Sequence, residues 1–391
     1  MSDFDLIVIG GGPAGMMAAG RAAERGKRVL LLERNAAPGR KLLMAATGRC
    51  NVTNSAPVHE FVAAYGHAGR FMGHALKAFD NQRLREFLAR RGVPTMEERK
   101  GRVFPESQKA SAVLDALLGF MREHGVAVKT DVRVRELMVS EGALRGVKTD
   151  AGAFTAQSVL IATGGMSYPE TGSTGDGYRL AASAGHTIVP LRPSLVAFET
   201  EETWPKTVQG LPLKNAQAKA ECEGRVIAEQ LGEALFTHYG ISGPLILDMS
   251  RRIVEAMARE RAGALIPEPR TDNPKPKTAI LRLDLKPHAT PEELDRKLLD
   301  ELGKFGGKRV KNALSGFLPA NLLPVLLRLA EIDPEKKAAQ FGKSDRKKLC
   351  RLLKDLRLTL LRPRPIEEAI VTAGGVCLDE VDPRTMHSRL V

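Results

Sequence analysis

Gly10, Gly12 and Gly15 form a G-x-G-x-x-G run, with Pro13 and Ala14 inside it and the carboxylate of Glu33 following about 20 positions later. The spacing is that of a dinucleotide site. The first glycine permits a tight turn, the second lets a pyrophosphate approach the backbone, and the third lets a helix pack close to a sheet. Free N–H groups at the helix start then face the phosphates with a partial positive charge. Glu33 is placed to accept a ribose hydroxyl. The bland alternative is a glycine-rich structural turn, and the flanking pattern weighs against it. Apolar D-L-I-V-I precedes the run, an Ala-rich stretch follows, and R-V-L-L-L-E closes the unit at residues 28–33. That is a strand, a helix and a second strand.

Other residues carry chemistry with less specific spacing. After Glu33 comes a long polar connection, and such a connection is more often functional than structural. Within it Arg34, Arg40, Lys41 and Arg49 could neutralise a pyrophosphate, while Asn51 offers a donor and an acceptor. Cys50 invites comparison with redox cysteines, but no second cysteine is near it in sequence, which favours a packed thiol. His238 and Tyr239 form the best acid–base pair, since an imidazole titrates near neutrality. The competing reading has His238 hydrogen-bonding a turn. Arg102 could hold an anionic substrate or pair with Glu106 on a surface turn.

The elements that would position these groups follow from periodicity. Residues 13–25 read as a small-residue helix with Gly26 as its C-terminal stop. Residues 55–96 read as helical, and 111–124 as an amphipathic helix with apolar positions at 3–4 spacing. Strands are expected around 126–128 and 132–134, a hairpin-like pair over 146–155, and an apolar strand from 157 running into Thr163, Gly164 and Gly165. A short helix is expected from Gly177, with Asp176 as its cap. From Pro190 the pattern changes to alternating antiparallel strands at 195–200, 217–222, 225–229 and 278–285, read as a small β-barrel. Residues 262–277 are Pro-rich and charged and read as a loop. Thr290-Pro291-Glu292-Glu293 is a capping box, and helices are expected to about Arg357. The expected divisions are 1–190, 191–289 for the barrel, 290–360 for a helical subdomain, and 361–391 as an incomplete return to the first domain.

Bulk properties narrow the class. The 391 residues exceed what one core usually serves. No apolar run approaches the ~20 residues of a membrane span, and Asp3 and Asp5 stand where a signal peptide would be basic. The expectation is a cytoplasmic protein without a membrane anchor. The four cysteines and eight histidines show no ligand spacing, so no metal is expected. Net charge is +13, and residues 304–355 alone carry 13 basic and 5 acidic side chains. Such a stretch can attract a polyanion, but it lacks the interleaved aromatics that single-strand binding favours. Nucleic acid is therefore the less favoured partner, behind a small-molecule substrate.

Several stretches together resemble one family. They are the glycine run, G-R-K-L-L at 39–43, G-R-C-N-V-T-N at 48–54, G-R-V-F-P-E-S at 101–107, A-T-G-G at 162–165 and T-G-D-G at 174–177. F-T-H-Y-G-I-S-G-P at 236–244, V-T-A-G-G-V at 371–376 and T-M-H-S-R-L-V at 385–391 complete the set. The chain resembles, over essentially its whole length, the aminoacetone-oxidase-like FAD-dependent oxidoreductases of bacteria, which include flavoproteins of bile-acid dehydroxylation. The resemblance implies an α/β protein: a Rossmann-type FAD-binding domain with an inserted β-barrel domain and a small helical subdomain. It implies FAD as cofactor, Glu33 on the adenosine ribose, and backbone contact from Val132 to adenine. Lys41 and Gly48–Asn51 would lie near pyrophosphate and flavin, and Thr163–Gly165 would close over the cofactor. Only one full fingerprint is present, so NAD(P)H would act as a transient reductant. Family members continue past the S-R-L-V position into a strand, turn and helix aimed at the flavin; by that comparison the chain lacks a flavin-binding segment. The function expected is an FAD-dependent oxidoreductase acting on a small organic substrate. The alternatives are an RNA-associated flavoprotein docking through the basic helices, and a truncated FAD binder without activity.

Overall fold

The computed structural model describes residues 2–258 and 277–391. It divides into two compact units, one made of the residues up to Leu191 with those from Gly374 onward, the other of Arg192–Ala373.

The first unit is built on β1 (Phe4–Ile9), α1 (Pro13–Glu24) and β2 (Val29–Leu32). All four residues of β2 are apolar and buried, as befits a parallel strand covered on both faces. After β2 comes the short α2 (Arg40–Met44), and later α3 (Ala110–Glu123) followed by β3 (Ala127–Lys129). Then β4 (Val134–Ser140), β5 (Ala143–Thr149) and β6 (Gly152–Ile161) form a meander, and α4 (Asp176–Ser183) follows. The sheet order is β3-β2-β1-β6-β5-β4. The first four strands run parallel, and β5 pairs antiparallel with β4 and β6.

Register decides where the strands end. Ile9 lies opposite both Leu32 and Ile161, and Leu32 lies opposite Lys129. The chain therefore leaves β1, β2, β3 and β6 at one edge of the sheet, the edge where parallel α/β sheets bind ligands. Small residues in α1 let it approach. A Cβ on Gly20 would stand 2.4 Å from the Phe120 ring of α3.

The second unit holds a closed barrel of β7 (Phe198–Thr200), β8 (Pro212–Cys222), β9 (Arg225–Phe236), β10 (Gly240–Ser242), β11 (Ala279–Asp284) and β12 (Leu356–Pro363), with α5 (Pro244–Ala258) packed on β8 and β9. Around the barrel the order is β7-β10-β9-β8-β11-β12. Ala216, Ala218, Ala220 and Cys222 alternate inward along β8, and Leu281 and Leu358 are paired neighbours on β11 and β12. Between β11 and β12 the chain makes a helical excursion that includes α6 (Pro291–Lys304) and α7 (Lys343–Lys354). At the start of α6, Thr290 Oγ1 accepts from the Glu293 amide at 3.2 Å while the Glu293 carboxylate accepts from the Thr290 amide at 3.0 Å. This is the capping box read from the sequence.

Several local expectations are corrected. Residues 55–96 contain helices Val58–Ala64, Gly69–Ala78 and Asn81–Arg90, but then a strand, Thr95–Glu98, pairs with Arg102–Pro105. The helices end at Lys354, and Leu356, Leu358 and Leu360 alternate inward as the strand that closes the barrel. A barrel edge left open there would expose unpaired amides. The helix Pro244–Ala258 falls within the stretch assigned to the barrel domain, between two of its expected strands. The Pro-rich stretch expected as a loop lies, apart from Lys277, outside the described residues.

Candidate nucleotide-binding site

At the shared strand edge a cavity of about 350 Å³ opens, within the range of small-molecule sites. Gly10, Gly12, Pro13 and Ala14 form one wall, and Glu33, Arg34, Arg40 and Lys41 another. Val132, Thr163 and Gly164 complete the part of the lining that the sequence reading named.

Gly10 adopts φ 107° and a Cβ there would stand 2.5 Å from the Ala162 carbonyl oxygen, so only glycine fits. Gly15 does not line the cavity. Its Cβ would stand 2.0 Å from the Gly10 carbonyl oxygen, so its role is to let α1 begin against the turn. Gly12 is different, with φ −75° and no atom within 4 Å of a Cβ position. Bare backbone there faces open space. No side chain caps α1 and its first turn carries no acidic residue. Its orphan N–H groups and positive dipole end are thus uncompensated, as an anion site requires.

Glu33 is 7% exposed. Its Oε2 accepts from the Gly11 amide at 2.7 Å, and its Oε1 from the amide and side-chain nitrogens of Asn35, both at 2.8 Å. Three donors satisfy a carboxylate with about four acceptor sites, so capacity remains for a further hydroxyl. Lys41 donates to the Ser167 carbonyl oxygen at 2.7 Å, and burial pushes its ammonium below the usual lysine range while Glu170 pulls it back. A half-buried ammonium, uncapped helix amides and a buried carboxylate are the donor and acceptor set that pyrophosphate and ribose require. The residues present fit an adenine dinucleotide.

Arg133 was not recognised from sequence as part of this cavity, and Asp176 was read only as a helix cap. Arg133 chelates Asp176, with Nε to Oδ2 at 2.9 Å and an Nη to Oδ1 at 2.7 Å. Arg34 reaches the same carboxylate at 3.2 Å and donates to Thr174 Oγ1 at 2.6 Å. Asp176 is thus not the helix cap. Gly175 occupies that position without a side-chain bond, and the Arg133 guanidinium holds the Asp176 carboxyl below the usual range. No local pattern links positions 34, 133 and 176; only the fold does.

The G-R-C-N stretch is placed apart from the cavity lining. Ala46, Thr47, Gly48 and Cys50 all have positive φ, a concentration of left-handed backbone that usually marks a functional loop. Arg49 is bound to Glu98 and Gln108 and stacks on Phe104 with its Cζ 4.2 Å from the ring centroid, so it is not free to meet a pyrophosphate. With its amide turned so that the nitrogen faces them, Asn51 donates to the carbonyls of Val103 and Thr53 at 3.1 and 2.9 Å. Cys50 is 5% exposed, and burial pushes its thiol up to about 11, the signature of a packed and unreactive group. Gly165 also lies off the cavity lining, its carbonyl accepting from the Gly175 amide. Arg102 is half-exposed and pairs with Glu98 at 3.6 Å, not with Glu106, because the hairpin register puts Glu98 opposite Arg102.

In the second unit His238 is exposed and sits edge-on to Tyr239 with centroids 4.8 Å apart. It does not hold the turn. Thr237 does, its Oγ1 accepting from the Gly240 amide at 3.1 Å. The Arg364 guanidinium lies 4.8 Å from the Tyr239 ring centroid and is bound to Glu199 and Glu368. Among the described residues no cluster of His, Cys, Asp and Glu is arranged to hold a metal, and no helix is long and apolar enough to cross a membrane.

The basic segment is more neutralised than its composition suggests. Seven of its thirteen cations stand in ion pairs. Lys343, Lys347 and Arg351, at four-residue spacing along α7, are exposed and have no acidic partner among the described residues.

Residues 4–391 match the family model described as the HI0933-like protein Rossmann domain. The 3-dehydro-bile acid delta(4,6)-reductase of Clostridium scindens is 31% identical over 98% of this chain and 89% of its own length. The ribosomal RNA dihydrouridine synthase of Escherichia coli is 29% identical over 100% of this chain and 90% of its own. Among solved structures, the 3-ketosteroid-delta4-(5alpha)-dehydrogenase of Rhodococcus jostii is 15% identical over 98% of this chain and 88% of its own, with a TM-score of 0.43. With the glycine turn and acidic strand end in place and a family match over nearly its whole length, the chain belongs to the HI0933-like family of Rossmann-type, FAD-binding oxidoreductases.

Proposed function

We propose that this protein is an FAD-dependent reductase that saturates a carbon–carbon double bond conjugated to a carbonyl group. The observation that carries the cofactor half of this reading is the cavity in which the bare Gly12 backbone, the uncapped start of α1 and the Glu33 carboxylate converge. The substrate half is supported by what two relatives' names share. A 3-dehydro bile acid with delta(4,6) unsaturation is an unsaturated ketone, and a uridine that becomes dihydrouridine loses a double bond conjugated to its ring carbonyl.

A flavin held there would supply two-electron reducing chemistry, with NAD(P)H as its transient reductant, and the saturation would need one proton from the protein side. The chain's own work is to bind and orient. The amides at the start of α1 and the Lys41 ammonium would neutralise the pyrophosphate, and Glu33 would fix the ribose. His238 and Tyr239 are the acid–base pair we assign to the second unit. The test is the absorbance spectrum of the purified protein, followed by denaturation to identify the released nucleotide. The reduced protein is then mixed without oxygen with a 3-oxo-4,6-diene steroid or a uridine-containing RNA. Reoxidation with a saturated product supports the proposal. A colourless protein that takes up no FAD on reconstitution overturns it.

A second reading concerns the substrate's size. Lys343, Lys347 and Arg351 make an unneutralised stripe along α7, suited to a run of phosphates. That favours an RNA as the carrier of the double bond. RNA retention that falls steeply with salt supports it, and no retention at low salt ends it.

A further inference from the structure

We propose that Asp176 sets the nucleotide specificity of the cavity: by occupying Arg34 and Arg133 it reserves the site for an unphosphorylated ribose and excludes a 2′-phosphate. The inference rests on the reading of the cavity as an adenine-dinucleotide site and adds to it a reason for the choice of nucleotide.

An arginine beside the acidic strand end is what dinucleotide sites use to accept a 2′-phosphate. This cavity has two, Arg34 immediately after Glu33 and Arg133 after β3, and both line it. Two free guanidiniums would form a strong phosphate site, because each can donate a paired set of hydrogen bonds to an oxyanion. They are not free. Asp176 takes a bidentate contact from Arg133 at 2.7 and 2.9 Å and a further one from Arg34 at 3.2 Å, while Thr174 takes a second bond from Arg34. Asp176 also lines the cavity and is only 14% exposed, so the carboxylate stands where an incoming phosphate would otherwise bind.

The internal anion has three advantages over an external one. It is tethered, so its effective concentration exceeds that of any dissolved nucleotide. It sits in the first turn of α4, where the helix dipole favours negative charge. It also leaves this end of the cavity with two carboxylates, Glu33 and Asp176, against two guanidiniums, so a phosphate dianion would enter a neutral set and have to displace one of its members. The T-G-D-G stretch thus acts as a built-in occupant of the phosphate position.

The experiment compares two soluble probes, ADP-ribose and its 2′-phosphate, each titrated calorimetrically against flavin-stripped protein, with FAD as the reference ligand. The wild type is expected to bind FAD and ADP-ribose and to disfavour the 2′-phosphate. Asp176→Asn keeps the shape and removes the charge. It should shift the ratio of the two affinities by about tenfold or more toward the 2′-phosphate, equivalent to roughly 1.4 kcal/mol, and the gain should shrink with salt. If the single variant does not fold, Asp176→Asn with Arg133→Gln carries the same comparison without stranding the Arg133 charge; with Arg34 released it should still shift the ratio, by less. A variant that weakens both probes equally shows Asp176 to be a structural tie and overturns the inference while leaving the cofactor reading intact. A wild type that binds neither FAD nor ADP-ribose overturns both.

Discussion

The Gly11 amide lies 2.7 Å from Oε2 of Glu33, so the glycine turn and the acidic strand end are joined by one buried hydrogen bond. The two halves of a dinucleotide site, one for phosphate and one for ribose, are thus set in place before any ligand arrives. Glu33→Gln keeps the size and weakens the acceptors toward Gly11 and Asn35. The expected cost is about 1–3 kcal/mol of stability, read by urea unfolding of the flavin-free protein, together with a loss of FAD affinity.

Gly12 and Gly15 should separate cleanly on substitution. Gly15→Ala drives a Cβ to 2.0 Å from the Gly10 carbonyl oxygen and should destabilise the protein by about 3 kcal/mol or more. Gly12→Ala meets no protein atom and its φ of −75° suits alanine. Its unfolding midpoint without flavin should match the wild type, while FAD affinity falls by about tenfold or more as the new methyl enters the cavity. Equal FAD affinity in Gly12→Ala would show that the phosphates lie elsewhere.

The thiols give a chemical test of packing. Burial pushes Cys50 and Cys350 to about 11, so neither should react with iodoacetamide at pH 8 in the folded protein. Cys377 is partly exposed and should label first. Because the folded thiols ionise above the value of about 9 that they have when unfolded, their contribution to stability is complete below pH 9 and is lost as pH rises toward 11. Peptide mapping after brief alkylation checks the order. Prompt labelling of Cys50 would contradict a packed role.

Asp176 predicts a response to acid. Its carboxyl titrates below the usual value of 3.8, chiefly through the Arg133 hydrogen bonds. The stability it contributes is therefore fully present above about pH 4 and is lost as pH falls below that. Urea midpoints measured from pH 6 down to pH 3 should drop less steeply in Asp176→Asn than in the wild type. Parallel curves would mean that the pair contributes nothing to the fold.

The basic stripe makes a prediction about salt. If Lys343, Lys347 and Arg351 meet phosphates, replacing all three by glutamine should reduce the slope of log affinity against log salt by about 2 to 3. An unchanged slope would place any RNA contact elsewhere. A parallel change, His238→Asn, should slow substrate reduction while leaving flavin reduction by NAD(P)H unaltered, as expected of a residue that handles only the substrate proton. Slowing of both steps alike would remove His238 from that role.

Local pattern carried a good deal. The glycine run, the apolar strands around it, Glu33 and the capping box at Thr290 are each written in a few adjacent residues, because turn geometry, strand burial and helix capping act over one or two turns of chain. The same local reading failed where the deciding partner is far away. Leu356 to Pro363 became a strand because the barrel needed a sixth member beside β11, and Arg102 paired with Glu98 because a hairpin register put it there. Arg49 was drawn to Glu98 and Phe104 rather than to a cofactor. Asp176 was placed by sequence at a helix start, and that much was correct to within one residue. Only the folded chain brings Arg34 and Arg133 to it from 142 and 43 residues away. Sequence determines which groups are present and what each short stretch prefers. Long-range packing alone decides which charges neutralise one another, and so which remain for a ligand.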